Sequence, residues 1–308
     1  VPGLISTYRR RGKIMRVSKA LRADVRAWLY LSPALVFILA FTVFPIARSF
    51  WLGLHEMDFS MSKPFFVGLG NYISLAEDPL FWKVMGNSVL FSFLTVLPSM
   101  IVGLALAMLV NKKIKGVGFL RTAFFYPAVM PMIAIASTWM FIYMAQYGML
   151  DNFLVGLGLK PLNLLSSKRT VLPALSFMYI WREAGYLMIF FLSGLQNMSN
   201  DVFEAAIIDG AGPWTAFRKI TLPLLMPTIL FVSTIALTNS LKLVDHVVIM
   251  TEGAPNNAST LLLYFIYRQG FIYFDQGKAS ALTVIMLIIM LSISMIQFIN
   301  TDKKIHYN

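Results

Sequence analysis

The 308 residues are 58% apolar in a count that includes tyrosine, only 13% are charged, and the mean hydropathy is +0.71. A water-soluble fold cannot hide that much apolar surface, because charged side chains must cover an area that shrinks only slowly relative to volume, so the main solvent is lipid. The net charge of +12 raises the question of nucleic acid, which its placement at one membrane face answers below, and zero cysteines exclude disulfide scaffolds, thiolate catalysis and cysteine-based metal sites.

Residues 1–26 form a basic tail with eight Lys or Arg. Its stretch from Met15 to Trp28 fits an amphipathic helix on anionic headgroups or a plain disordered tail, and neither implies nucleic acid. The tail is not read as a secretory signal, since the apolar run that follows is of full span length and has no small-residue cleavage site after it.

A helix crosses about 30 Å of hydrocarbon in about 20 residues, so spans are read as long gaps between charges. Arg26 to Arg48 encloses 21 uncharged residues, Lys83 to Lys112 encloses 28, and Arg121 to Asp151 encloses 29. The third gap holds Pro127 and Pro131, the pair expected to kink its helix. Thr170 to Asn200 is a fourth span, interrupted near its middle by Arg182 and Glu183, which lipid tolerates only if they face a partner or a watery cavity. Lys219 to Lys242 encloses 22 residues and Lys278 to Asp302 encloses 23. The expected fold is therefore an all-α membrane protein with six transmembrane helices in one domain over 27–302, followed by a short tail, 303–308. Between spans five and six, the turn Gly253-Ala254-Pro255-Asn256-Asn257 precedes an apolar stretch, Ser259 to Gln269, too short to cross; it reads as a re-entrant or surface helix.

With the N-terminal tail inside, the inner segments carry sixteen Lys or Arg and the outer ones nine. The positive-inside rule then places both termini in the cytoplasm. The loop 197–220 dissents, with three acids against two bases. It reads as a short helix, a turn and a second short helix. Asp201 and Glu204 make a capping pair, Asp209-Gly210 ends the first helix with a residue tolerant of positive φ, and Gly212-Pro213 opens the second.

This loop carries a resemblance. Glu204-Ala205-Ala206, Gly210 six residues after the glutamate, and Ile220-Thr221-Leu222-Pro223 beginning ten residues later resemble the EAA loop of permease subunits of ATP-binding-cassette importers. The chain from span two onward is similar to the carbohydrate-uptake branch, to which the maltose and glycerol-3-phosphate membrane subunits belong. It matches at Tyr126-Pro127, Trp181, Gly185-Tyr186, Asp209 to Pro213 and Thr251 to Pro255. It departs at Met198-Ser199, where many relatives have Ile-Pro, and at Ala254, where Gly is common. The resemblance implies that the loop is a coupling helix gripped by a cytoplasmic ATPase. Glu204 is then the charged contact, Ala205 and Ala206 permit close approach, and Asp209 and Gly210 make the turn. It also implies a second related permease subunit, two ATPase subunits that bind ATP and magnesium, and an extracytoplasmic solute-binding protein. This chain would bind no cofactor. Its nearest phosphate-loop candidate, Gly270 to Gly277-Lys278-Ala279, has six intervening residues instead of four and lacks the hydroxyl that would hold magnesium.

The solute pathway implied by the resemblance runs past Arg182, Glu183 and Tyr186 on span four and Ser240 and Leu243 at the outer end of span five. Trp181 adds an aromatic face for a sugar ring, and Lys242 a second positive charge. Arg182, helped by Lys242, either recognises an anionic solute such as a uronate oligosaccharide or a glycerol phosphodiester, or pairs with Glu183, another helix or the second permease. Trp139 and Tyr143 are expected to serve packing. Two rival functions find less support. A secondary transporter driven by an ion gradient would show inverted repeats, and none is seen. An enzyme would need grouped catalytic residues, whereas His55, His246 and His306 are scattered and no metal-binding spacing occurs, so no catalytic or metal residues are expected.

Overall fold

The computed structural model describes residues 28–57, 63–112 and 115–302, so the tails 1–26 and 303–308, and most of the stretch from Met15 to Trp28, lie outside the described residues. The chain divides after Leu52 into two compact units. The first is dominated by α1 (Trp28–Gly53), a single helix with a π-turn over Leu39–Val43, and its most apolar stretch buries nothing. Such a helix is stable only with lipid or another protein around it.

The second unit opens with a two-stranded antiparallel hairpin, β1 (His55–Glu56) and β2 (Phe65–Phe66), which the hydropathy pattern gives no sign of. After α2 (Gly70–Glu77), span two is α3 (Pro79–Val110), 32 residues long. Asp78 caps it, its carboxylate accepting from Leu80 N at 2.8 Å, and Pro79 occupies the first turn where no donor is needed.

Span three is broken as Pro127 and Pro131 lead one to expect. It comprises α4 (Val117–Val129) and α5 (Met132–Ile142), which meet at 95° across Met130-Pro131. A short α6 (Met149–Gly156) follows in the next loop. There Asp151 is buried, and its two oxygens accept from Gln146 N and Leu162 N, each at 2.8 Å.

Span four is α7 (Val171–Gln196), the most buried of the long helices. Its principal partner is α3, on which the small residues Ser92, Thr95, Ser99, Gly103 and Ala107 are all buried and Gly103 lies against Ala184 and Leu187 of α7. Small residues let two backbones approach closely, which drives helix association where lipid removes the usual hydrophobic gain.

The loop after α7 forms α8 (Asn200–Ile208) and α9 (Pro213–Ala216), then a π-turn over Phe217–Thr221, α10 (Leu222–Leu224) and α11 (Met226–Leu241). Span five therefore begins later than Ile220, because helix from the loop runs on through the π-turn before the span proper. It ends in α12 (Asp245–Met250). The segment between spans five and six contributes α13 (Leu262–Tyr267), where a short non-crossing helix was expected, and span six is α14 (Gln276–Asp302). Among the described residues, five helices are long and apolar enough to cross a membrane, or six if the bent pair α4–α5 counts as one span.

Three buried clusters hold the second unit together. One joins α5, α7 and α12 to the segment 258–264, a second joins α3, α7 and α11, and a third joins α2, α3, α13 and α14. The helix α7 belongs to two of the three, so whatever its middle carries is placed deep in the bundle.

Candidate functional site

Two regions deserve the name of site: the loop that projects from the bundle and the polar centre of α7. In the loop, Ser199 caps α8, its hydroxyl accepting from Asp201 N at 3.3 Å. Asp201 thus lies within the first turn and does not form the expected capping pair with Glu204. A negative charge there still favours the positive end of the helix dipole. Gly210 ends the helix with φ of +75°, and Ala211 N returns to the carbonyl of Ala206 at 2.9 Å, which satisfies one of the last free acceptors. The side chains of Glu204, Ala205 and Asp209 are exposed, as is Gly210, and Ala206 is buried. Ile207, Ile208 and Trp214 are 72%, 85% and 71% exposed, an apolar surface with nothing over it in the isolated chain.

At the centre of α7, Glu183 is buried and accepts from the amide of Asn239 on α11 at 2.9 Å. Arg182 lies beside it, Nη1 at 3.8 Å from the carboxylate, and Nη2 reaches toward the carbonyl of Ala128 at 3.5 Å. Spans three, four and five thus meet at one ion pair. The remaining candidates spread outward from it. Trp181 is 44% exposed and edge-on to Trp139, with centroids 5.6 Å apart; Tyr186 is half-buried against Phe190. Ser240 is buried and shares a 2.9 Å hydrogen bond with Ser92. Lys242 is exposed, and Leu243 packs against the cluster that joins α5, α7 and α12. Trp139 and Tyr143 are packed: the Tyr143 hydroxyl donates to the carbonyl of Ala174 at 3.1 Å, and the two rings lie 5.2 Å apart.

Sequence reading gave no role to Tyr179 or His246. Both flank Phe91, with ring centroids at 5.8 and 5.5 Å, and the Tyr179 hydroxyl and both nitrogens of His246 are buried without hydrogen-bond partners among the described residues. Tyr179 lies one turn before Glu183 and could have been found by helical spacing. His246 could not, because the chain turns between α11 and α12. The turn 253–257 and the residues after it close this end of the bundle: Asn87 on α3 donates to the carbonyls of Asn257 at 2.9 Å and Thr260 at 3.1 Å, and Ser88 accepts from Leu262 N at 2.8 Å.

Comparison with known proteins fixes what such a bundle belongs to. Residues 86–305 match the family described as binding-protein-dependent transport system inner membrane component. The chain belongs to this family. As a member of it, the chain is a multi-pass permease component. It is 33% identical over 273 residues to the trehalose/maltose transport system permease protein MalF of Thermococcus litoralis, covering 87% of this chain and 91% of that protein. It is 30% identical over 286 residues to the sn-glycerol-3-phosphate transport system permease protein UgpA of Escherichia coli, covering 91% of this chain and 95% of that one. Its fold matches, with a TM-score of 0.80 and 22% identity, a chain in the crystal structure of the bacterial alginate ABC transporter in complex with alginate pentasaccharide-bound periplasmic protein; the match covers 92% of this chain and 96% of that chain. The permease fold accounts for the two sites being apart: one belongs to the projecting loop, the other to the interior of the bundle.

Proposed function

We propose that the chain forms half of the translocation pathway of an ATP-driven importer for saccharides or related solutes, with a second, related permease forming the other half. Both termini and the loop 197–220 lie in the cytoplasm. Two ATPase subunits hold ATP and magnesium and grip α8 through Glu204, Ala205, Ala206, Asp209 and Gly210, and this chain binds no cofactor itself. An extracytoplasmic protein delivers the solute, which passes Trp181, Arg182, Glu183, Tyr186, Ser240, Lys242 and Leu243. The names of the relatives, which carry trehalose or maltose and glycerol-3-phosphate, support a hydroxyl-rich solute, and the alginate transporter supports an acidic oligosaccharide within that range.

The observation that carries this reading is the capped, glycine-terminated helix α8, which leaves Glu204 and two large aliphatic side chains uncovered at the tip of a bundle. Exposed apolar patches of this kind mark surfaces that another protein covers. The test uses the assembled transporter. Replacing Glu204 by Ala and Gly210 by Val is expected to release the ATPase subunits on purification, or to lower ATP hydrolysis stimulated by the loaded binding protein by about tenfold or more, the range of a lost interface anchor. Retention of both assembly and stimulated hydrolysis would overturn the proposal. Uptake by the chain alone, driven by a proton or sodium gradient, would support the rival secondary transporter instead.

A further inference from the structure

The break in span three leaves the end of α4 with carbonyls that no helix continues to satisfy. The carbonyl of Pro127 would need the N–H of residue 131, which is a proline. That of Ala128 would need Met132, which starts α5 after a 95° turn. Free carbonyls form the negative end of the helix dipole, and inside a bilayer water cannot serve them.

Span four meets this end with two residues on one face. A Cβ on Gly185 would sit 2.0 Å from the carbonyl oxygen of Phe124, so only glycine lets α7 come this close to the last turn of α4. Three residues earlier, and so on the same face, Arg182 extends its guanidinium past that contact to within 3.5 Å of the carbonyl of Ala128. The distance is that of a charge facing a dipole rather than of a tight hydrogen bond. The 3.8 Å separation from Glu183 is equally loose, so the carboxylate does not monopolise the guanidinium. Its Nε is buried and has no hydrogen-bond partner among the described residues.

We infer that Arg182 and Gly185 form a socket in span four that caps the carbonyl end of α4 and holds the bend of span three. Arg182 is then a positioning residue: it acts on the solute path through the angle between α4 and α5. The inference rests on family membership and on this geometry, and not on the identity of the solute or on the coupling role of α8.

The chain has no cysteine, so spin labels can be placed cleanly. Phe119 on α4 and Phe141 on α5 are 77% and 59% exposed, and Phe119→Cys with Phe141→Cys, in a complex whose other subunits lack cysteine, reports the angle as a distance distribution. Arg182→Met is expected to broaden or shift that distribution. It should also lower maximal uptake by about tenfold, the order expected for a buried charge at a helix terminus, and do so alike for neutral and acidic solutes. Arg182→Lys, which keeps the charge, is expected to restore both, and Arg182→Gln is not. An unchanged distribution in Arg182→Met overturns the inference, as does a rise in KM for acidic solutes alone with maximal rate retained. If the Met variant fails to assemble, the Lys and Gln variants decide: a native distribution with Lys and an altered one with Gln supports the socket, and identical behaviour of the two overturns it.

Discussion

Glu183 is 2% exposed in the middle of the most buried long helix, and the Asn239 amide donates to it at 2.9 Å. Removing that donor leaves a buried acceptor to be desolvated for nothing, a loss of about 1–3 kcal/mol and more where the group is charged. Asn239→Ala is therefore expected to lower the unfolding temperature of the purified complex. Asn239→Asp, which sets a second carboxylate against the first, is expected to lower it further. An equal or smaller loss with Asp than with Ala would mean that Glu183 does not carry charge in this setting. Asp151 supplies a second case outside the spans, because both its oxygens accept backbone N–H groups. Asp151→Asn turns one of those acceptors into a donor facing a donor. Its expected signature is faster protease cleavage between 143 and 170, with cleavage elsewhere unchanged.

At the scale of elements, the contact of α3 with α7 depends on how little the facing side chains occupy. A Cβ at Gly103 would lie 3.0 Å from the carbonyl oxygen of Ala184, whereas one at Gly86, on the same helix, would meet nothing within 4 Å. Gly103→Ala is expected to destabilise the complex by about 1–3 kcal/mol, as overpacking does. Gly86→Ala should be neutral or stabilising by up to about 1 kcal/mol, since alanine loses less backbone entropy in a helix. Thermal unfolding of the two variants side by side checks the difference, and similar shifts would remove close packing as the reason for the small stripe. The spans themselves were legible because hydropathy and charge gaps report lipid directly, and the break in span three was legible because Pro131 has no N–H to give. The partners within the bundle were not. That Arg182 approaches a backbone carbonyl on another helix, or that Ser240 bonds to Ser92, depends on how helices far apart in sequence come together, and no local pattern encodes it. The hairpin at His55 and Phe66 escaped for a related reason: two residues per strand are too few to show alternation.

For the whole molecule, sixteen basic residues on one set of loops against nine on the other support the proposed direction of insertion, which puts the loop 197–220 on the richer side although it is itself acidic in balance. A cysteine-free chain allows this to be read without background. Ile208, on the projecting helix, and Lys160, in the loop beyond span three, are both exposed and lie on opposite sides of the proposed bundle. Ile208→Cys is expected to react with a membrane-impermeant maleimide only in inside-out vesicles, and Lys160→Cys only in right-side-out ones. Protection of Ile208→Cys when the ATPase subunits are present, lost once they are stripped away, would tie the orientation to the coupling role. That arm separates two explanations for the exposed Ile207, Ile208 and Trp214. A surface that docks an ATPase becomes shielded on assembly, whereas side chains that dip into the headgroup region stay shielded with or without the partner. Labelling of both cysteines from the same side would mean an even number of crossings between them, so α7, the long helix that lies between the two positions, would have to be reassigned as a re-entrant segment.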